Sequence, residues 1–127
     1  MTPHREEALR SLRMADHDIA AFQALMQHTE VHPAMACFHA QQAVEKCVKA
    51  VLFSRTVEFR RTHDLTELSD LLERDGVRIP VASDWLKALN PFAVAFRYGE
   101  TEPRALDTAA LADVVDTVRT WAGEIVG

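Results

Sequence analysis

From Phe38 to Phe53 the chain carries neither glycine nor proline, and Ala, Gln, Glu, Lys and Leu dominate it. Such a composition favours helix at almost every position. Phe38, Gln41, Gln42, Glu45, Val48, Val51 and Leu52 recur near helical spacing, so the apolar stripe is interrupted by Gln41, Gln42, Glu45 and Lys46. A helix with apolar residues on several sides packs against several neighbours. The sequence therefore predicts a central helix from about Pro33 to Arg55. Its polar residues read as ordinary surface groups, with Glu45 and Lys49 spaced as a favourable i,i+4 ion pair.

The flanking segments follow the same period. The first helix is expected from Pro3 to about His28, with Thr2 as N-cap and Pro3 at the first helical position. Leu9, Leu12, Ile19, Phe22, Leu25 and Met26 give it an apolar stripe, and Asp16, His17 and Asp18 read as a solvated patch. His28 to Pro33 is a connection. Thr62 or Asp64 caps a third helix that buries Leu65, Leu68, Leu71 and Leu72 and stops at Asp75-Gly76; Asp64 and Glu67 have capping-box spacing. Val77 to Ala82 is a loop. Ser83 caps a fourth helix, with Trp85, Leu86, Leu89, Phe92, Ala93 and Phe96 on its apolar side and a kink or split imposed by Pro91. A fifth helix is expected from Pro103 to about Ile125. No segment alternates as a strand should, and no repeat or long linker interrupts the chain. The expected fold is an all-α up-and-down bundle of about five helices, forming a single domain over residues 1–127.

Composition narrows the function classes. A formal net charge of -5 argues against a general nucleic-acid-coating protein, which would be basic. No apolar run reaches the roughly 20 residues of a membrane helix, and the first residues lack an apolar signal core, so a cytoplasmic location is expected. Cys37 and Cys47 fall about 15 Å apart along one helix, too far for a disulfide, and neither belongs to a CxxC pair. They read as packing residues. His28 and His32 have metal-ligand spacing, but Pro33 breaks the helix they would need, so no metal and no cofactor are expected.

The phosphate, dinucleotide, zincin and serine-hydrolase signatures are all missing. The chemistry-bearing candidates are Arg97 and Tyr98, just before Gly99, with His63, Arg60 and Arg61 elsewhere. Arg97 can offer a planar fork of donors to a phosphate and Tyr98 can stack or donate. Alternatively, Arg97 pairs with Glu100, Glu102 or a helix end, and Tyr98 is core. His63 near a helix start is placed where anions gather, or else merely braces the turn.

The run Phe38 to Ala50 with its Gln-Gln-Ala-x-Glu-Lys-x-x-Lys pattern, then Thr62-His63-Asp64-Leu65, then Arg97-Tyr98, resembles the small HEPN domain, the partner of minimal nucleotidyltransferases in prokaryotic toxin–antitoxin pairs. The resemblance spans roughly residues 5 to 125. It implies a helical homodimer, with Val51, Val115 and Trp121 as spare apolar residues for its face. It also implies an arginine, matched here by Arg97, which in the RNases of the family is followed by a histidine; the pair cuts RNA across the dimer cleft without a metal. No histidine follows Arg97 in this chain. It resembles the small members that carry Arg-Tyr alone. The resemblance then implies binding of a nucleotide or RNA phosphate through Arg97, His63 and Arg61, with Arg97 and Tyr98 as the catalytic candidates, and work with a separate nucleotidyltransferase. A metal-independent RNA endonuclease using another base, and an interaction bundle without ligand, are the alternatives.

Overall fold

The structure is a computed structural model that describes residues 2–94 and 106–127. Its elements are α1 (Pro3–Met26), α2 (Pro33–Ser54), α3 (Leu65–Arg74), α4 (Ser83–Leu89), a 3₁₀ turn (Asn90–Ala93) and α5 (Thr108–Val126), and no strand occurs among the described residues. The architecture is the expected all-α bundle.

Side-chain pairs fix the directions of the long helices. Asp18 meets His39 and Lys46, while Ser11 donates to the Lys46 carbonyl, so α1 and α2 run antiparallel. Arg5 donates to the Val126 and Gly127 carbonyls and Arg119 pairs with Asp16, so α5 is antiparallel to α1. α2 lies at the centre, touching α1, α5, α3, α4 and the 3₁₀ turn. Small side chains make this crowding feasible. Ala36, Cys37, Ala40, Ala43, Cys47 and Ala50 are all buried on α2, and larger residues from the neighbours fill the remaining space, Phe22, Leu65, Leu68, Leu111 and Val118 among them. Beyond its first turn, water reaches α2 only along one half-buried stripe, which includes His39, Gln42, Lys46, Lys49 and Phe53.

Helix ends are set by local chemistry. Thr2 caps α1 by accepting from Arg5 N–H at 3.1 Å. The His32 ring caps α2 through Ala34 N–H at 3.0 Å, a role the sequence did not suggest. Asp64, not Thr62, caps α3. Glu67 does not close a capping box: it is held by Arg60, and the Asp64 N–H bonds Thr62 Oγ1 instead. Two boundaries depart from expectation, and the break at Pro91 follows it. Ala82 is the N-cap of α4 and makes no side-chain cap bond, so Ser83 is already helical. Pro91 splits the fourth element by converting its end to a 3₁₀ turn. The fifth helix begins at Thr108, because Asp107 is extended and its carboxylate accepts from Ala109 and Ala110 N–H; Leu106 therefore precedes the helix. Pro103, the expected start, lies outside the described residues. Val51 and Val115, expected as spare apolar residues, are buried in the core and unavailable to a dimer face.

Both α2 and α3 end in the same way. Val57 N–H reaches Leu52 O at 2.9 Å and Thr56 N–H reaches Phe53 O at 3.1 Å; Val77 and Gly76 repeat the pattern at Leu72 and Glu73. Each is a Schellman turn with its C′ residue at positive φ, 83° for Gly76 but 55° for Thr56. The left-handed conformation costs a β-branched residue about 1–2 kcal/mol and glycine almost nothing. Thr56→Gly is therefore expected to stabilise the protein by about 1 kcal/mol, and Gly76→Ala to destabilise it by about the same amount. Urea unfolding of both variants measures this, and a destabilised Thr56→Gly would show that the threonine side chain outweighs its backbone strain.

Candidate functional site

Gln41, Glu45 and Lys49 stand one turn apart on α2 and share a face. That face is covered by the turn before α3, so Gln41 and Glu45 are buried, Glu45 with a side chain only 4% exposed. A buried carboxylate requires partners on both oxygens. Oε1 accepts from Gln41 Nε2 at 3.1 Å and from His63 Nδ1 at 2.9 Å, while Oε2 accepts from Lys49 Nζ at 3.0 Å and from the same His63 nitrogen at 3.1 Å. Gln41 Nε2 also reaches the His63 carbonyl at 3.3 Å, and Gln42 Nε2 donates to Gln41 Oε1 at 2.6 Å. No buried side-chain polar atom among the described residues is left without a partner. The polar residues read as surface groups are thus an internal network.

Its consequence falls on His63. The ring is 58% exposed, yet one nitrogen is fixed. Because a carboxylate only accepts, the proton sits on Nδ1, and Nε2 is the nitrogen presented outward, with no partner among the described residues. Both sequence readings of His63 contain part of this: the ring braces the turn and still offers a free nitrogen. The helix end beside it offers less. Thr66 and Glu67 N–H are taken by Asp64, whose carboxylate also accepts from the Thr66 hydroxyl and from Asn90 Nδ2. The Thr66 hydroxyl, before the other donors, holds the Asp64 carboxyl below its usual range. An anion approaching His63 meets the imidazole and not an open helix N-terminus. Asn90 completes the tie by accepting from Leu65 N–H at 2.9 Å, which fixes the start of the 3₁₀ turn against the His63 segment.

The neighbouring arginines separate. Arg60 forks Glu67 through three N···O contacts of 2.7 to 3.1 Å, and this bonding raises its pKa above the ordinary arginine value. Arg61 is exposed, makes no ion pair among the described residues, and lines a groove with Lys49 and Phe59. Arg97 and Tyr98 lie outside the described residues. Elsewhere, Asp18 is buried between His39 and Lys46, not solvated as expected. His28 pairs with Glu30 at the surface, and no cluster of three or more His, Cys, Asp or Glu side chains suited to a metal occurs among the described residues. Cys37 and Cys47 are buried and free, and burial pushes the Cys47 thiol up to about 12. No helix among the described residues is long and apolar enough to cross a membrane.

This arrangement, a central polar-cored helix clasping a histidine turn within an all-α bundle, defines a helical-bundle protein class. The model of the HEPN domain family matches residues 8–125. The chain belongs to the HEPN domain family. Its fold is similar to the crystal structure of an archaeal HEPN homologue, with a TM-score of 0.62 and 18% identity over 94% of this chain and 98% of that one. No curated protein matches the sequence.

Removing Glu45 should be costly, because Gln41, Lys49 and His63 lose one acceptor together. Glu45→Ala is expected to destabilise by about 2 kcal/mol, as for a hydrogen-bonded charge with one exposed partner. Urea unfolding checks the loss, and long-range ¹⁵N–¹H spectra of the wild type are expected to find the His63 proton on Nδ1. A neutral His63 protonated on Nε2 would contradict the arrangement. Asp64→Ala should cost about 1 kcal/mol as a lost cap. Because the folded Asp64 carboxyl titrates below its unfolded value, its contribution is complete above pH ~4 and disappears as pH falls through the folded pKa. The stability gap between wild type and Asp64→Ala should accordingly narrow on acidification below pH ~4; a gap that stays constant from pH 7 to pH 2 would remove the linkage.

Proposed function

We propose that this chain is a single-domain HEPN protein, dimeric and cytoplasmic, that binds a nucleotide or an RNA phosphate and works with a separately encoded minimal nucleotidyltransferase in a toxin–antitoxin-type pair. The observation that carries the reading is His63. Its ring is held from behind by the buried Glu45 and presents Nε2 to solvent, and Arg61, two residues earlier, is a cation without an ion pair among the described residues. The Arg61 guanidinium is suited to a phosphate, and the outward Nε2, a lone-pair acceptor in this tautomer, to a ribose hydroxyl or a base amine of a nucleotide. Arg97 and Tyr98 are assigned to the same site, Arg97 as a second fork for the phosphate and Tyr98 as a stacking or donating group. Arg97 follows Asn90 in the chain, and Asn90 is hydrogen-bonded to the His63 segment.

The Glu45–His63 pair also favours a second reading. A carboxylate that fixes an imidazole tautomer is the usual support for a general base, so His63 can take the place of the histidine missing after Arg97 in a metal-independent RNA cleavage.

One experiment separates the two. Purified wild type, Arg97→Ala and His63→Gln are incubated with labelled RNA in EDTA and, in parallel, titrated with AMP. The first reading expects no cleavage, AMP binding weakened about tenfold by Arg97→Ala and several-fold by His63→Gln. The second expects cleavage by wild type, reduced about 10²–10⁴-fold in His63→Gln. If AMP binds all three proteins alike and none cuts RNA, both readings fall.

A further inference from the structure

A groove of about 710 Å³ opens between the start of α1 and the C-terminal turn of α2, on the far side of Lys49 from Glu45. Its size is that of a small-molecule site. The floor is apolar and aromatic: Phe53 and Phe59 meet edge to face at 5.2 Å, with Val57 and Pro3 beside them. Cationic groups stand over that floor. Lys49 Nζ lies 5.9 Å above the Phe59 ring, but its charge is committed to Glu45. Arg61, on the same wall, has no ion pair among the described residues and is the cation free to take a ligand. Of the two carboxylates at the rim, Glu7 pairs with Arg10 at 3.0 Å and Glu58 is exposed. One arginine without an ion pair among the described residues, in a lining that also holds the exposed Glu58, suits one small acidic head group and not a polyanion.

The turn that ends α2 forms part of the groove wall. Thr56 lines it and holds the left-handed conformation at φ 55°, where the equivalent turn of α3 uses Gly76. Thr56 Oγ1 donates to the Arg55 carbonyl, which fixes the threonine at the groove wall.

We propose that this groove binds a small aromatic molecule bearing one acidic group, its ring against Phe53 and Phe59 and its anionic head on Arg61. The head can be a carboxylate or a phosphate, and the test distinguishes them. ¹⁵N-labelled full-length protein is titrated with phenylacetate, with phenyl phosphate and with the neutral benzyl alcohol. Saturable shifts are expected at the amides of Phe53, Val57 and Phe59 for at least one acid, and the tighter of the two names the head group. Arg61→Gln, an exposed position, should weaken that acid at least fivefold, and Phe59→Leu should weaken it while keeping apolar bulk. Arg61 is common to this groove and the phosphate site proposed above, so the two are told apart at His63 and Arg97: the groove shifts should survive in His63→Gln and Arg97→Ala, whose effect on AMP binding bears on that site alone. Benzyl alcohol binding as tightly as the acids, unchanged affinity in Arg61→Gln, or shifts scattered over the whole surface would each overturn the proposal.

Discussion

A carboxylate placed almost out of water is tolerable only if several donors converge on it, and the geometry around Glu45 follows from that demand. Its donors come from three places: one turn back on α2, one turn forward, and the turn before α3. The last of these is the structural consequence that matters. α3 is short and touches α2 over a limited surface, so apolar contact alone positions it loosely. The Glu45–His63 bonds and the Gln41 bond to the His63 carbonyl pin its entrance to the central helix of the bundle. From there Asp64 and Asn90 carry the constraint to the 3₁₀ turn. A continuous path of hydrogen bonds runs from the middle of α2 to the end of the described α4 segment.

The other half of the bundle solves its packing differently. α1, α2 and α5 share a core of alanines, valines and leucines, and the polar groups between α1 and α2 are few and charged. Asp18, buried between His39 and Lys46, gives that hairpin a register mark that apolar contacts cannot provide, because a helix sliding by one turn would still find alanine opposite leucine but would strand the carboxylate. The two buried acids therefore have parallel roles, one for the α1–α2 register and one for the docking of α3.

Much of this fold was legible in the sequence. The helical period, the caps at Thr2 and Asp64, the stop at Gly76 and the break at Pro91 are local signals, and local chemistry decides them. What the sequence concealed depends on partners distant in the chain. Gln41 and Glu45 read as surface groups interrupting an apolar stripe, and only the arrival of the 62–64 turn makes them interior. Asp18 is hidden for the same reason, since His39 and Lys46 lie on another helix. Asp107 sets the start of α5 with two backbone bonds, a cap whose signal the sequence does not separate from that of Pro103, which lies outside the described residues. Of the candidate site, His63 and Arg61 were visible as residue types. The carboxylate that orients His63 was visible only as half of the Glu45–Lys49 pair, a pairing that does form and also has a third member.

The separation of Arg60 from Arg61 decides what ligand this face can take. Side chains of adjacent residues diverge, so one basic dipeptide supplies two different environments. Arg60 is neutralised by a forked bond to Glu67, and Lys49 by Glu45, which leaves Arg61 as the groove cation without an ion pair among the described residues, in a lining it shares with Glu58. In a chain of net charge -5 that is a local positive spot on an acidic background. A long nucleic acid needs a track of such spots, because its affinity is built from many phosphate contacts and the release of their counterions. A single spot beside an aromatic floor offers a different balance. Apolar burial supplies most of the affinity and one charge sets the orientation, so recognition should be only weakly salt-dependent, in contrast with a protein that tracks a phosphate backbone.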